Sequence, residues 1–373
     1  MKYSNMEPLG AQPSLLGFGC MRFPTTPDGH IDRVRAQAMI DRAYESGVRY
    51  FDTAYPYHSG ESEPFVGEAL KKYDRKSLYI ATKLPMWKVE SAEQAKEIFA
   101  EQLAHLQTDY IDFYLFHALS KDRWAKMLEQ ELIPIFEQYQ REGKIRYLGF
   151  SFHDDYDTFE RIATYRQWDF CQLQLNYMDT DEQAGMRGYA LCEQLNMPVV
   201  VMEPVKGGSL ATLPEDIAQS LKAVRPDMSV ASWALRYVAS LPNVKVVLSG
   251  MSTEEQVEDN LKTFEHFEPL SPAELRTVGD TVRAIRARIK NGCTGCRYCM
   301  PCPFGLDIPR TFSIWNEYGM YPNKDRAKKR YADMEAAMRP DQCRKCGKCE
   351  AVCPQHLPIR EHLAAAAQEL SAL

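Results

Sequence analysis

The sequence predicts an α/β chain, a (β/α)8 TIM barrel over residues 1–270 followed by a small, mainly helical domain over residues 271–373. Three observations carry this. Short β-branched and aromatic runs alternate eight times with longer stretches of helical apolar spacing, within the roughly 250 residues such a barrel needs. The first strand carries GFG (17–19), which is not the G-x-G-x-x-G turn of an open doubly wound sheet. Eight of the eleven cysteines fall in two short runs near the C-terminus, where the composition changes sharply.

The units follow in order. LLGFGCMRF (15–23) is a strand, and DRVRAQAMIDRAYESG (32–47) a helix that Gly47 stops. YFDTA precedes the helix SEPFVGEALKKY, LYIATKL precedes SAEQAKEIFAEQLAHLQ, and YIDFYLFH precedes the long segment from Arg123 to Lys144. YLGFSF pairs with YDTFERIATY and FCQLQLNY with the helix around GYALCEQLN. VVVMEP pairs with SVASWALRYVAS, and KVVLSG with TEEQVEDNLKTFEHF. A linker with Ser271 and Pro272 then leads into a charged helix ending at Asn291 and Gly292. Beyond it, RTFSIWNEYGMY and DRAKKRYADMEAAM read as helices.

Composition excludes several classes. No basic region followed by an apolar stretch opens the chain, and no run of about 18 apolar residues offers a membrane span. A cytoplasmic, reducing compartment is expected, where cysteine pairs are rarely disulfides. The net charge of -6 argues against nucleic acid as a partner.

Chemistry in such barrels sits where strands end on the C-terminal face. The second, third and fourth strands end in Asp52 and Tyr57, Lys83, and His117. A phenol with a pKa of about 10 is a poor acid near neutrality, but a neighbouring ammonium stabilises the phenolate. Lys83 can be that ammonium, Asp52 the carboxylate that keeps it charged, and His117 a hydrogen-bond donor to a carbonyl oxygen. Singly, each has a bland reading as a cap, an ion pair or packing. Together, in DTAYPYHSGESE, IATKLP, YIDFYLFH and SGMSTEEQVEDN, they resemble the aldo-keto reductase superfamily across residues 10–268. The resemblance implies reduction of a small carbonyl substrate by a nicotinamide cofactor, with Asp52, Tyr57, Lys83 and His117 as the catalytic tetrad. His58 and His153 are expected near the same rim as pocket residues, with Phe23, Met86, Trp87 and Phe152 as an aromatic-rich lining.

Phosphate sites after strands seven and eight are common in this barrel. Ser249 and Gly250 end the eighth strand, the segment through Gln256 to Asn260 opens a helix, and Gly207 in KGGS belongs to a second flexible loop. The resemblance implies that Ser151, Gln172 and Asn176 lie near the nicotinamide amide. Where many members of the superfamily stack an aromatic ring on the nicotinamide, this chain has Met202 or Glu203. Where NADPH-preferring members place bases, it has Gly250 and Gln256, so of the NAD(P)H pair NADH is the expected cofactor. Glu254, Glu255, Glu258 and Asp259 are expected to repel a 2'-phosphate.

Cys293, Cys296, Cys299 and Cys302 are each separated by two residues. Cys343, Cys346, Cys349 and Cys353, with Pro354 behind, match the bacterial ferredoxin run completely. A ferredoxin-like 4Fe-4S domain with two [4Fe-4S] clusters is expected, with zinc as the structural alternative. Carried over from ferredoxins, Cys293, Cys296, Cys299 and Cys353 hold one cluster, and Cys343, Cys346, Cys349 and Cys302 the other. Lys324, Arg326, Lys328, Lys329, Arg330, Arg344, Lys345 and Lys348 make this end basic. They either compensate the cluster thiolates or form a docking surface for an acidic redox partner such as a ferredoxin or flavodoxin.

Joined, the halves read as an oxidoreductase whose clusters relay single electrons. The rival reading is a redox- or iron-responsive binding protein on the same scaffold. Coupling hydride to one-electron transfer ordinarily needs a flavin; the chemistry leaves one open, although no flavin motif is apparent.

Overall fold

The computed structural model describes residues 1–7 and 9–373. Eight parallel strands close into a barrel in the order of the chain. They are β1 (Leu16–Gly19), β2 (Tyr50–Asp52), β3 (Tyr79–Leu84), β4 (Ile111–Leu119), β5 (Ile145–Phe152), β6 (Phe170–Gln174), β7 (Val199–Met202) and β8 (Val244–Ser249). Around them run α1 (Arg33–Glu45), α2 (Ser62–Leu70), α3 (Ala92–His105), α4 (Lys121–Glu129), α5 (Leu132–Arg141), α6 (Tyr156–Ala163), α7 (Gly185–Gln194), α9 (Val230–Ala239) and α10 (Glu254–Glu265), while α8 (Glu215–Val224) follows β7 in the chain.

Strand alternation fills two layers. Inward residues Tyr50, Ala81, Phe113, Phe170, Val200 and Val246 pack inside the barrel, with the Phe113 ring centroid 5.0 Å from those of Tyr50 and Phe170. Gly17 lies where a Cβ would come within 2.6 Å of Val246 Cγ1, so the crowded interior requires the missing side chain. At the N-terminal end, antiparallel bridges Tyr3–Ser14 and Met6–Ala11 fold the first residues back, and buried Met6 joins the interior cluster. That end is plugged. Outward strand residues such as Phe51, Ile80 and Phe116 pack against the helices.

Two departures from the expected elements have local causes. The segment from Arg123 to Lys144 is two helices, with Glu131 at φ 49° between them. Pro134 lies in the first turn of α5, where its missing N–H costs nothing; a helix continuous through residue 130 would place it in the interior. Helix α8 was not expected at all, although Glu215 and Asp216 open it and Ile217, Ala218 and Leu221 form its buried stripe.

The chain forms two compact units, Met1–Gly207 with Ala231–Ser271, and Gly208–Val230 with Pro272–Leu373. The second adds α11 (Pro272–Arg286), α12 (Ile308–Met320), α13 (Lys324–Ala332), α14 (Lys348–Ala351) and α15 (Ile359–Ser371). Its core joins Phe312 and Trp315 of α12 to Leu363, Ala366 and Leu370 of α15, and the cluster-run cysteines pack against it.

Candidate active site and cluster sites

The period-two alternation that places Tyr50, Ala81 and Phe113 in the barrel interior puts Asp52 and Lys83 on the same inward face one step higher, and His117 two steps above Phe113 with Leu115 between, at the open end. Lys83 Nζ is fully buried and donates to Asp52 Oδ1 and to the Thr53 carbonyl, both at 2.7 Å. Tyr57 follows on a turn in which His58 and Ser59 take left-handed conformations, φ 49° and 55°. This tight reversal carries the Tyr57 ring over Lys83, whose ammonium lies 5.1 Å from the ring centroid. The His117 ring stands edge-on to Tyr57 at 6.1 Å. All four predicted tetrad residues therefore meet at one point of the rim.

Their electrostatics are coupled. Burial drives the Lys83 ammonium toward losing its proton, but Asp52 and the Tyr57 hydroxyl outweigh it and raise its pKa above the ordinary value. Burial pushes the Asp52 carboxyl up while Lys83 draws it down. The 2.7 Å contact is an ion pair in which each charge makes the other tolerable. Burial also raises the Tyr57 phenol above its usual value, against the pull of Lys83, so it keeps its proton in the resting site. His117 is pushed well below its usual value by burial, then by Lys83, His153 and Arg123, and stays neutral.

The residues expected around the cofactor fall into two groups. Ser151 and Gln172 pair in register at the inner ends of β5 and β6. Gln172 Oε1 is buried without a hydrogen-bond partner, an orphan acceptor that the carboxamide N–H of a nicotinamide would satisfy. Ser151 Oγ accepts from the Ala118 N–H at 2.7 Å, while Asn176 Nδ2 donates to Asp179 Oδ2 at 3.0 Å and, more weakly, to the Glu203 carbonyl. At the far end, Asn260 Nδ2 donates to Ser249 Oγ at 2.7 Å. Thr253 caps α10, accepting from the Gln256 N–H, and Gln256 Oε1 accepts in turn from the Ser252 N–H at 2.7 Å. A Cβ on Gly250 would lie 2.7 Å from Arg22 Cγ, so the strand end is open only because the residue is glycine. Gly207 is exposed with φ 60°.

Other expectations shift. His58 Nε2 accepts from the Phe23 N–H at 3.2 Å and ties the loop after β1 to that after β2. Phe23, Met86 and Phe152 are buried in the core behind the rim, whereas Trp87 is 42% exposed and packs 4.9 Å from the His117 ring. Arg123, beside Trp87, was not singled out in the sequence; nothing in its pattern separates it from other helix arginines. Glu254 and Glu258 are held by Arg35 and Arg42, which weakens the expected repulsion of a 2'-phosphate.

In the second unit, one cavity is lined by Cys302 with Cys343, Cys346 and Cys349, and another by Cys293, Cys296 and Cys299 with Cys353. Each run of three thus shares its cavity with the fourth cysteine of the other run. Among the described residues no three His, Cys, Asp or Glu side chains are arranged to hold one metal ion. Four cysteines spread around a cavity fit a polynuclear cluster better than a single zinc.

A closed parallel barrel with a buried lysine–aspartate pair under a tyrosine at its C-terminal rim defines a barrel oxidoreductase. Residues 15–282 match the Aldo/keto reductase family, and residues 292–357 a 4Fe-4S dicluster domain. The chain belongs to the aldo/keto reductase family, whose members act on small carbonyl compounds, and is an oxidoreductase. An NADH-specific methylglyoxal reductase of Escherichia coli is 26% identical over 293 residues, 66% of this chain and 89% of that protein. An uncharacterized oxidoreductase of Bacillus subtilis, YqkF, is 27% identical over 67% of this chain and 86% of its own length. Among solved structures, the holo form of an aldo-keto reductase from Bacillus halodurans aligns with a TM-score of 0.63 and 28% identity, over 75% of this chain and 96% of that one.

Proposed function

We propose that the chain reduces a small aldehyde or ketone with a nicotinamide cofactor, Tyr57 serving as proton donor. The observation that carries this reading is the buried Lys83–Asp52 pair at 2.7 Å beneath the Tyr57 ring. When bound, the nicotinamide supplies a hydride to the carbonyl carbon. Tyr57 gives its proton to the carbonyl oxygen, and Lys83 stabilises the negative charge the phenol acquires as that proton leaves. His117 is neutral and donates a hydrogen bond to the same oxygen, which fixes the carbonyl against Tyr57. Trp87 shields the mouth from water.

NADH is the proposed partner of the NAD(P)H pair. No Lys or Arg lies between Ser249 and Asn260, and recognition of a 2'-phosphate ordinarily needs one. Lys206 is held by Asp179 at 2.5 Å. Fluorescence titration under anaerobic conditions should give a Kd for NADH roughly tenfold or more below that for NADPH, with NADH consumed as aldehydes are reduced. A clear NADPH preference would contradict this and point to exposed Arg22 beside Gly250.

The second domain, from residue 271, is proposed to hold two [4Fe-4S] clusters with crossed ligation, as its two four-cysteine cavities support. The reducing cytoplasm suits these thiolates. Anaerobically purified protein should carry about eight iron and eight acid-labile sulfide per chain. Stoichiometric zinc without sulfide would end the claim, and flavin analysis of the same sample tests for the intermediary a relay to the barrel would require. The clusters are proposed to pass single electrons to an acidic carrier. Arg326 and Arg330 hold Glu317, and Lys329 holds Asp333, so much of α13's charge is internally compensated. Arg344 and Lys345 line the cavity of Cys346, Lys348 is exposed in the same run, and no ion pair ties the three to a described carboxylate. They are the better candidates for docking.

A further inference from the structure

We propose that the carbonyl substrate carries a carboxylate and that Arg123 binds it at the rim beside His117. The inference rests on the reductase reading above and adds the chemical class of its substrate.

Arg123 lies in the first turn of α4, just past the end of β4. One N–H anchors it, Nη1 donating 2.6 Å to the carbonyl of Ala118, the residue after His117. Ala118 has φ 53° and its N–H is held by Ser151 Oγ, so the guanidinium is fastened to the same strand end as the tetrad histidine. Its carbon lies 5.2 Å from the centroid of the Trp87 ring, which itself packs 4.9 Å from the His117 ring. The indole thus connects the place where a carbonyl oxygen would be held to a half-buried cation.

That cation has no counter-ion. No ion pair joins Arg123 to a described carboxylate, and Asp52 and Asp154 are engaged elsewhere. Asp52 holds Lys83, and both oxygens of Asp154 accept from backbone N–H groups. A guanidinium presents five donors in a fork that matches a carboxylate, and one backbone carbonyl leaves most of them free. Burial, and after it Lys83 and Arg123, keep His117 neutral, so the Arg123 guanidinium is a cation beside an uncharged ring. Such a cation attracts an anion.

The test compares 4-oxobutanoate with butanal, which has the same chain length without the charge, and measures binding of unreactive succinate by calorimetry. The parent should prefer 4-oxobutanoate in kcat/KM, mainly through KM. Arg123→Met should shrink that preference roughly 10- to 100-fold and weaken succinate binding by a similar factor. Arg123→Lys, which keeps the charge without the fork, should fall between, and thermal melts confirm that both variants fold. Equal succinate binding in parent and Arg123→Met overturns the proposal whatever the turnover. Succinate binding that needs Arg123, with neither aldehyde reduced, would keep the anion site and sink the reductase reading instead.

Discussion

Lys83 has no solvent contact, and a lysine in that position is tolerated only because Asp52 and the Thr53 carbonyl receive its protons. The consequences for pH follow from His117 and Tyr57. With His117 neutral and Tyr57 protonated in the folded chain, carbonyl reduction should be nearly flat between about pH 6 and pH 9. An inflection near pH 6.5 that disappears in His117→Asn would contradict this. Stability has a definite sign as well. The unfolded chain protonates this histidine below about pH 6.5 while the folded chain resists, so unfolding takes up protons and stability falls with falling pH. The slope approaches about 1.4 kcal/mol per pH unit until the folded group itself titrates. Denaturant melts of the parent and His117→Asn should diverge as pH drops toward 5. That Asp52, Tyr57, Lys83 and His117 meet at one rim was legible in the sequence because they stand at or just past successive strand ends. Arg123 was not, because its role depends on which ring and which carbonyl the fold brings beside it.

Strands and cysteine runs were the most readable elements, since a period of two and a spacing of two intervening residues both survive in a linear text. Helix α15 was hidden behind the second run, although Ile359, Leu363, Ala366 and Leu370 form its buried stripe. The break between α4 and α5 follows from Pro134, which a periodicity reading passes over. Ion pairs such as Arg35–Glu254 join α1 to α10 across most of the barrel sequence and have no local signature. At this scale the proposed crossed ligation gives a direct prediction. Cys302→Ser should perturb the same cluster as Cys346→Ser, and Cys353→Ser the same one as Cys296→Ser, when the reduced proteins are compared by electron paramagnetic resonance. A Cys302→Ser spectrum resembling that of Cys296→Ser would show that each run closes its own cluster.

The whole chain combines a domain of the aldo/keto reductase family with a 4Fe-4S dicluster domain. The barrel's part stands or falls on Tyr57, because no other group in the tetrad both carries a proton at neutral pH and faces the cleft beside His117. Loss of a cluster cysteine should leave nicotinamide-dependent carbonyl reduction largely intact, whereas loss of the phenol should not. The most direct measurement is kcat/KM for aldehyde reduction by Tyr57→Phe and by the parent, both purified anaerobically with full iron content and with nicotinamide affinity measured alongside. The variant keeps the ring and its packing and loses only the hydroxyl. Turnover should drop by roughly two to four orders of magnitude with cofactor binding preserved. Equal activity in the two proteins would contradict the tetrad mechanism and leave the redox-responsive binding protein as the better account.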